Sequence, residues 1–154
     1  MTEQHSSGTN IEEPLQFKLS PEEYQRVLEG LQLLGLDLEN CTMKSMPNSS
    51  DGIENLSNNI DSSQANFEPC PDGTVIVKHR YSQRTKIGKK VIFSLDATFR
   101  LVFQAREEFT DDFFAIFRNF SLDLYTWPYF RELLSNLSSR TGMPSLTLPM
   151  LKKL

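Results

Sequence analysis

Side chains able to do covalent or acid–base chemistry are sparse in this 154-residue chain. Its two histidines are His5, in a polar N-terminal stretch, and His79, in an alternating segment that reads as a strand. No Gly-x-Ser-x-Gly, phosphate-binding loop, His-Glu-x-x-His or Gly-x-Gly-x-x-Gly motif occurs. Asp111 and Asp112 are neighbouring carboxylates, but acids directly after Thr110 fit the start of a helix, where the dipole favours them. Cys41 and Cys70 match no zinc or redox spacing and read as free thiols. With no metal-ligand cluster, no cofactor motif and no acid–base pair placed by a motif, the chain does not read as an enzyme.

What the sequence has in excess is aromatic surface. Phe93, Phe99, Phe103, Phe109, Phe113, Phe114, Phe117, Phe120, Tyr125, Trp127, Tyr129 and Phe130 fall within one short span. Taken singly, clustered rings usually pack inward. Together they are hard to hide in one buried layer. Phe113 and Phe114 are adjacent, as are Tyr129 and Phe130, and adjacent residues cannot share one stripe of a helix. Surplus apolar surface marks an interface, either with other subunits or with extended chain that needs rings and a free sheet edge. The candidates are Phe99, Phe103, Phe113, Phe114, Phe117, Tyr125, Trp127 and Phe130.

Composition narrows the class of partner. The length suits one domain with tails. Apolar content of 38% supports a small core, and a net charge of −4 argues against a nucleic-acid protein. No apolar run is long enough to span a bilayer, and MTEQHSSGTN lacks the basic and apolar parts of a signal peptide. A cytoplasmic protein is expected.

The elements follow from periodicity. Residues 1–14 are polar and read as a disordered tail, leaving residues 15–154 as a single domain. Ser20-Pro21-Glu22-Glu23 is a capping box. Tyr24, Val27, Leu28, Leu31 and Leu34 then predict a helix that Gly35 ends. Leu36 to Met46 reads as an edge-like strand. Fifteen of the twenty residues from Pro47 to Asn66 are Pro, Asn, Ser, Asp, Gly or Gln, which predicts a long mobile loop. Val75, Val77, His79 and Tyr81 alternate, and Gly88 makes a turn. Every odd position from Val91 to Phe103 is apolar, a long strand expected to bend near Thr98. Thr110 opens a short helix that breaks at Asn119–Ser121. A last helix is expected with Thr126 as N-cap, Pro128 in its first turn, and Trp127, Phe130, Leu133, Leu134 and Leu137 on one side. Arg140 would sit in its last turn and Gly142 just beyond. An extended arm follows from Pro144 to Met150. The fold class is α+β, an antiparallel sheet with helices on one face.

Pro128-Tyr129-Phe130-Arg131-Glu132, then Ser139-Arg140 with Gly142, then Pro144, Leu146, Leu148 and Pro149 resemble the C-terminal signature of the SecB family. The likeness covers about 25 residues and extends to the element order. It implies a cytoplasmic chaperone that holds polypeptides unfolded without ATP or any cofactor, assembled as a dimer of dimers. Its clients would be unfolded preproteins or an antitoxin, with no nucleic acid and no membrane insertion. Asp96 lies near the position where export-type members contact the SecA motor. A helix ahead of the first strand and the end at Leu154 after Lys152 and Lys153 resemble the toxin–antitoxin branch more than the export branch. The alternative is a dedicated interaction module on the same fold.

Overall fold

A computed structural model describes residues 18–46 and 56–142. The N-terminal tail and the arm from Pro144 lie outside the described residues. The elements are α1 (Pro21–Glu29), β1 (Leu31–Ser45), β2 (Leu56–Pro69), β3 (Thr74–Ile87), β4 (Lys90–Ala105), α2 (Asp111–Phe120) and α3 (Leu122–Ser139). All strand pairs are antiparallel, in the order β1-β4-β3-β2. This is the expected α+β architecture.

Tight turns join the last three strands. Gly73, at φ +84°, closes β2 onto β3, and the Asp72 carboxylate accepts from the Thr74 backbone N–H and hydroxyl. Gly88, at φ +60°, closes β3 onto β4. Only glycine takes such angles without strain. The even-odd alternation of β4 then sorts its side chains. Phe93, Leu95, Ala97, Phe99, Leu101 and Phe103 are buried in one core with Val75, Val77 and Tyr81 of β3. α2 and α3 cover that face: Phe117 meets Phe103 edge-on at 5.8 Å, and Phe130 stacks flat on Tyr81 at 4.4 Å.

Four sequence expectations change. α1 keeps its capping box, with Ser20 and Glu23 bonding reciprocally, but it stops at Gly30 instead of Gly35. Leu31 and Leu34 therefore belong to a strand. The reason is long-range: β1 pairs with β4 from Leu31 opposite Ala105, and the Gly30 carbonyl accepts from the Arg106 N–H. Sheet pairing overrides a helical pattern when its partner lies far along the chain.

The stretch read as a loop is a strand from Leu56 onward, while residues 47–55 lie outside the described residues. β2 is polar because it is an edge with little to cover. Of its side chains, Ile60, Ala65 and Phe67 reach the core.

β4 runs unbroken through Thr98. The irregularity sits on β1, whose register slips between Leu38 and Asn40, opposite Phe99 and Thr98. The edge strand absorbs the extra residue, Glu39, as it does Leu34 nearer its start, while the bulge of β4 itself is at Ile92, opposite the Thr85–Lys86 step of β3.

Finally, α3 begins at Leu122, a turn before Thr126. Ser121 closes α2 and opens α3 in one residue, its N–H donating to the Phe117 carbonyl. Thr126 is buried inside the helix, its hydroxyl 3.2 Å from the Leu122 carbonyl, and Pro128 is interior. Arg140 is the C-cap, one position past the last turn, and Gly142 has φ +75°.

The ring surplus largely goes inside. Phe93, Phe99, Phe103, Phe109, Phe113, Phe114, Phe117 and Phe130 are all buried. Phe113 and Phe114 both find cover because α2 is flanked on two sides. Phe113 stacks on Tyr24 of α1 at 5.1 Å, and Phe114 meets Phe67 of β2 at 4.8 Å. Adjacent rings need two stripes, and the fold supplies two neighbours. Replacing Phe113 with Ala should cost about 3–5 kcal/mol in urea unfolding. Phe120→Ala, at a half-exposed ring, should stay within about 0.5 kcal/mol of wild type.

Candidate functional site: an apolar groove between β1 and α3

In an antiparallel ladder, residues directly opposite one another project to the same face. Leu33 faces Phe103, Leu36 faces Leu101, Leu38 faces Phe99, Cys41 faces Ala97 and Met43 faces Leu95. β1 thus turns an apolar row toward the side on which the helices lie. α2 and α3 sit over β3 and β4, so much of that row is left open. Leu33 is 39% exposed, Leu38 45% and Met43 38%.

α3 forms the opposite wall. Tyr129, Leu133 and Leu137 recur every fourth residue, on the flank nearest β1. With Leu38 and the edge of Phe99 they enclose an open trough of about 400 Å³, rimmed by Glu132, Asn136 and Arg140. The Arg140 Nε donates to Asn136 Oδ1 at 3.0 Å, which holds the rim at the end of α3. Cys41, farther along the apolar row, has its thiol pushed up by burial, which keeps it neutral at ordinary pH. β1 is also the end strand of the sheet, so its outer backbone row has no strand partner among the described residues. The trough can take apolar side chains in extended chain, and the edge can meet backbone groups of any sequence.

Of the sequence candidates, only Phe99 touches this trough. Phe103, Phe113, Phe117 and Phe130 have no exposure, and Phe114 is buried. Tyr125 rests on Phe103 and Phe117, and half-buried Trp127 packs on Tyr81 and Phe130. These rings are the chain's own core and its margin, which corrects their reading as open surface. Among the signature residues, Tyr129, Glu132 and Arg140 line the trough. Pro128 and Arg131 instead line a neighbouring hollow of about 650 Å³ along α3 and its C-cap, which shares Glu132, Asn136 and Arg140 with the trough. Sequence reasoning missed Leu38 and Met43 because aliphatic residues on a predicted edge strand attract less notice than rings, and Leu33 because it fell within the predicted helix. The alternation of Leu36 and Leu38 was the available signal.

Asp96 lies on the other face of the sheet, already ligated. Arg84 donates to both of its oxygens at 3.1 Å, the Ser82 hydroxyl donates at 2.8 Å, and Arg80 stands at 3.5 Å. Burial pushes the Asp96 carboxyl up, but the hydrogen bonds from Arg84 and Ser82 and the charges of Arg84 and Arg80 outweigh it. The net effect holds it below its ordinary value.

His79 is buried beneath α3, bonded to the Thr126 hydroxyl and the Ser62 carbonyl, with Asp123 at 3.8 Å. Those groups are types used in hydrolysis, yet His79 is 1% exposed and borders neither hollow. No group of three or more metal-ligating residues stands together among the described residues, and none of their helices is long and apolar enough to cross a membrane.

No family model matches the chain, and no curated protein matches it in sequence. Its fold does have a solved counterpart. The SecB-like chaperone of Mycobacterium tuberculosis, determined in complex with a ChAD peptide from the HigA1 antitoxin, superposes with a TM-score of 0.71. The match covers 82% of this chain and 94% of that one at 17% identity. This chain has the fold of a SecB-like chaperone.

The Asp96 clamp has a testable consequence. A carboxyl held below its ordinary value stabilises the fold above about pH 4, its unfolded-state range, and that contribution is lost as pH falls through the folded-state value. Asp96→Asn should flatten the acid limb of a melting-temperature profile below pH 4 and lower the melting temperature at neutral pH.

Proposed function

We propose that this protein is a SecB-like chaperone that holds extended, unfolded polypeptide in the trough between β1 and α3, without nucleotide or cofactor. The observation that carries this reading is the apolar row of edge strand β1 left open beside Tyr129, Leu133 and Leu137. Globular chains normally cover such a row. Here it lies next to a strand edge, which suits a partner recognised by backbone and by non-specific apolar contact. Many weak contacts along one client add up through effective concentration, and binding the unfolded state competes with aggregation by mass action.

The client class is proposed to be an antitoxin or another dedicated protein in preference to exported preproteins. The fold neighbour was solved with an antitoxin peptide, which supports that choice. Asp96 is poorly suited to docking SecA, since Arg84, Arg80 and Ser82 already occupy its carboxylate. The open backbone row of β1 also favours self-association, and a dimer of dimers in the cytoplasm is the proposed working form. A module binding one specific partner remains the second reading, favoured by the same antitoxin complex.

Static light scattering should return a tetramer, and a stoichiometric amount should suppress aggregation of a reduced, unfolded substrate without nucleotide. Leu38→Asp and Tyr129→Asp place a charge where an apolar contact is needed. Each should raise the half-suppressing concentration about tenfold, with little change in melting temperature. Phe120→Ser, an exposed ring outside the trough, should suppress like wild type. A wild-type protein that fails to suppress aggregation and retains no antitoxin in pull-down would end the proposal. Retention of one partner alone, without suppression, would select the second reading.

A further inference from the structure

Each ring nitrogen of the buried histidine has a hydrogen-bond partner. His79 Nε2 lies 2.9 Å from the Ser62 carbonyl oxygen, which can only accept, so Nε2 carries a hydrogen. On the other side, three contacts run in series. Nδ1 is 2.8 Å from the Thr126 hydroxyl, that hydroxyl is 2.8 Å from the Tyr81 hydroxyl, and the latter is 2.8 Å from Asp123 Oδ1. Each contact has hydrogen-bond length and needs one proton. The two hydroxyls supply two.

With a neutral ring, one contact in the row sets lone pair against lone pair. It falls either between the Thr126 and Tyr81 oxygens or between Tyr81 and the carboxylate. A proton on Nδ1 resolves the row. The ring then donates to Thr126, Thr126 to Tyr81 and Tyr81 to Asp123, and only the longer 3.2 Å approach of the Thr126 hydroxyl to the Leu122 carbonyl goes without a proton. A protonated Asp123 with a neutral ring would balance the same count in reverse. Two facts favour the ring as the holder. A carboxyl starts about 2.6 units more acidic than an imidazole, and the Asp123 side chain keeps 23% of its surface in water. Its Oδ1, 3.8 Å from Nε2, supplies the balancing charge.

We propose that His79 is a buried imidazolium whose proton latches α3 onto the sheet. The latch joins three elements: β2 through the Ser62 carbonyl, β3 through His79 and Tyr81, and α3 through Thr126 and Asp123. The charged or titratable groups around it, among the described residues, are few. α3 presents Asp123, and β3 presents Tyr81, whose ring centre is 4.5 Å away. Next to Ser62 on β2, exposed Asp61 is turned to the Ser63 N–H, and Arg118 of α2 donates to the Ser63 carbonyl. β4 sets uncharged Phe99 opposite.

The folded chain keeps a proton that the unfolded chain sheds above about pH 6.5. By linkage the latch is at full strength below that pH and is lost as pH rises through the folded-state titration of His79. Because α3 carries Tyr129, Leu133 and Leu137, the loss loosens one wall of the trough. The proposal stands apart from the chaperone reading, since its tests need no client.

The decisive measurement is an imidazole nitrogen spectrum of the full ¹⁵N-labelled chain at pH 7.5, with His5→Asn separating the two rings. Both nitrogens of His79 should resonate as N–H type. A pyridine-type Nδ1 would overturn the proposal. In the same background, the unfolding equilibrium constant in urea should rise by up to about tenfold per pH unit above pH 6.5; a flat profile would contradict it. Asp123→Asn should move the His79 titration to lower pH, and an unmoved titration would likewise count against the latch.

Discussion

The pairing of β1 with β4 is the constraint to which the rest of this fold is fitted. It joins the first described strand to the last, across the whole β2–β3 hairpin. To meet Ala105 at its start, β1 has to begin at Leu31, and so α1 ends at Gly30. In its ladder with β4, β1 takes the extra residues, Leu34 and Glu39. Its register also decides that Leu33, Leu38 and Met43 face the helix side, where the helices do not reach. A slip of one residue would turn that apolar row to the opposite face. The trough is thus a product of register more than of composition.

The helices are positioned by rings on two sides of the same layer. Tyr24, Phe113, Phe117 and Phe103 form one chain of contacts from α1 through α2 to β4. Tyr81 and Phe130 form a second, tying β3 to α3. Beside that second contact lies the polar row of His79, Thr126, Tyr81 and Asp123. A buried polar row must be satisfied group by group, so it fixes the axial position of α3 more narrowly than apolar packing does. Burial pushes the Tyr81 hydroxyl up strongly, and the Thr126 hydrogen bond only partly opposes this. Tyr81 therefore stays a donor. One end of α3 is held by directional bonds, while its flank toward β1 presents Tyr129, Leu133 and Leu137 inside a rim of Glu132, Asn136 and Arg140. That division suits a wall that is anchored at one place and accepts varied side chains at another.

The sequence by itself determined those features whose causes are local. The capping box at Ser20, the glycine turn at Gly88, the cap at Thr110 and the alternation of β4 each depend on residues a few positions apart, and each is where the residue types placed it. The α+β class followed from the same signals, and the SecB-like signature of α3 pointed to the fold that the solved chaperone shares. Tertiary structure decided what depends on a distant partner. It made a strand of Leu31 to Leu34, because their ladder lies beside residues near 102 to 105. It made another of the polar residues from Leu56, because an edge strand draws its order from backbone bonds and buries few side chains. It also moved the open apolar surface from the rings to the leucines of β1. Which side chains stay uncovered depends on where two helices end across a sheet, and no pattern along one chain segment records that.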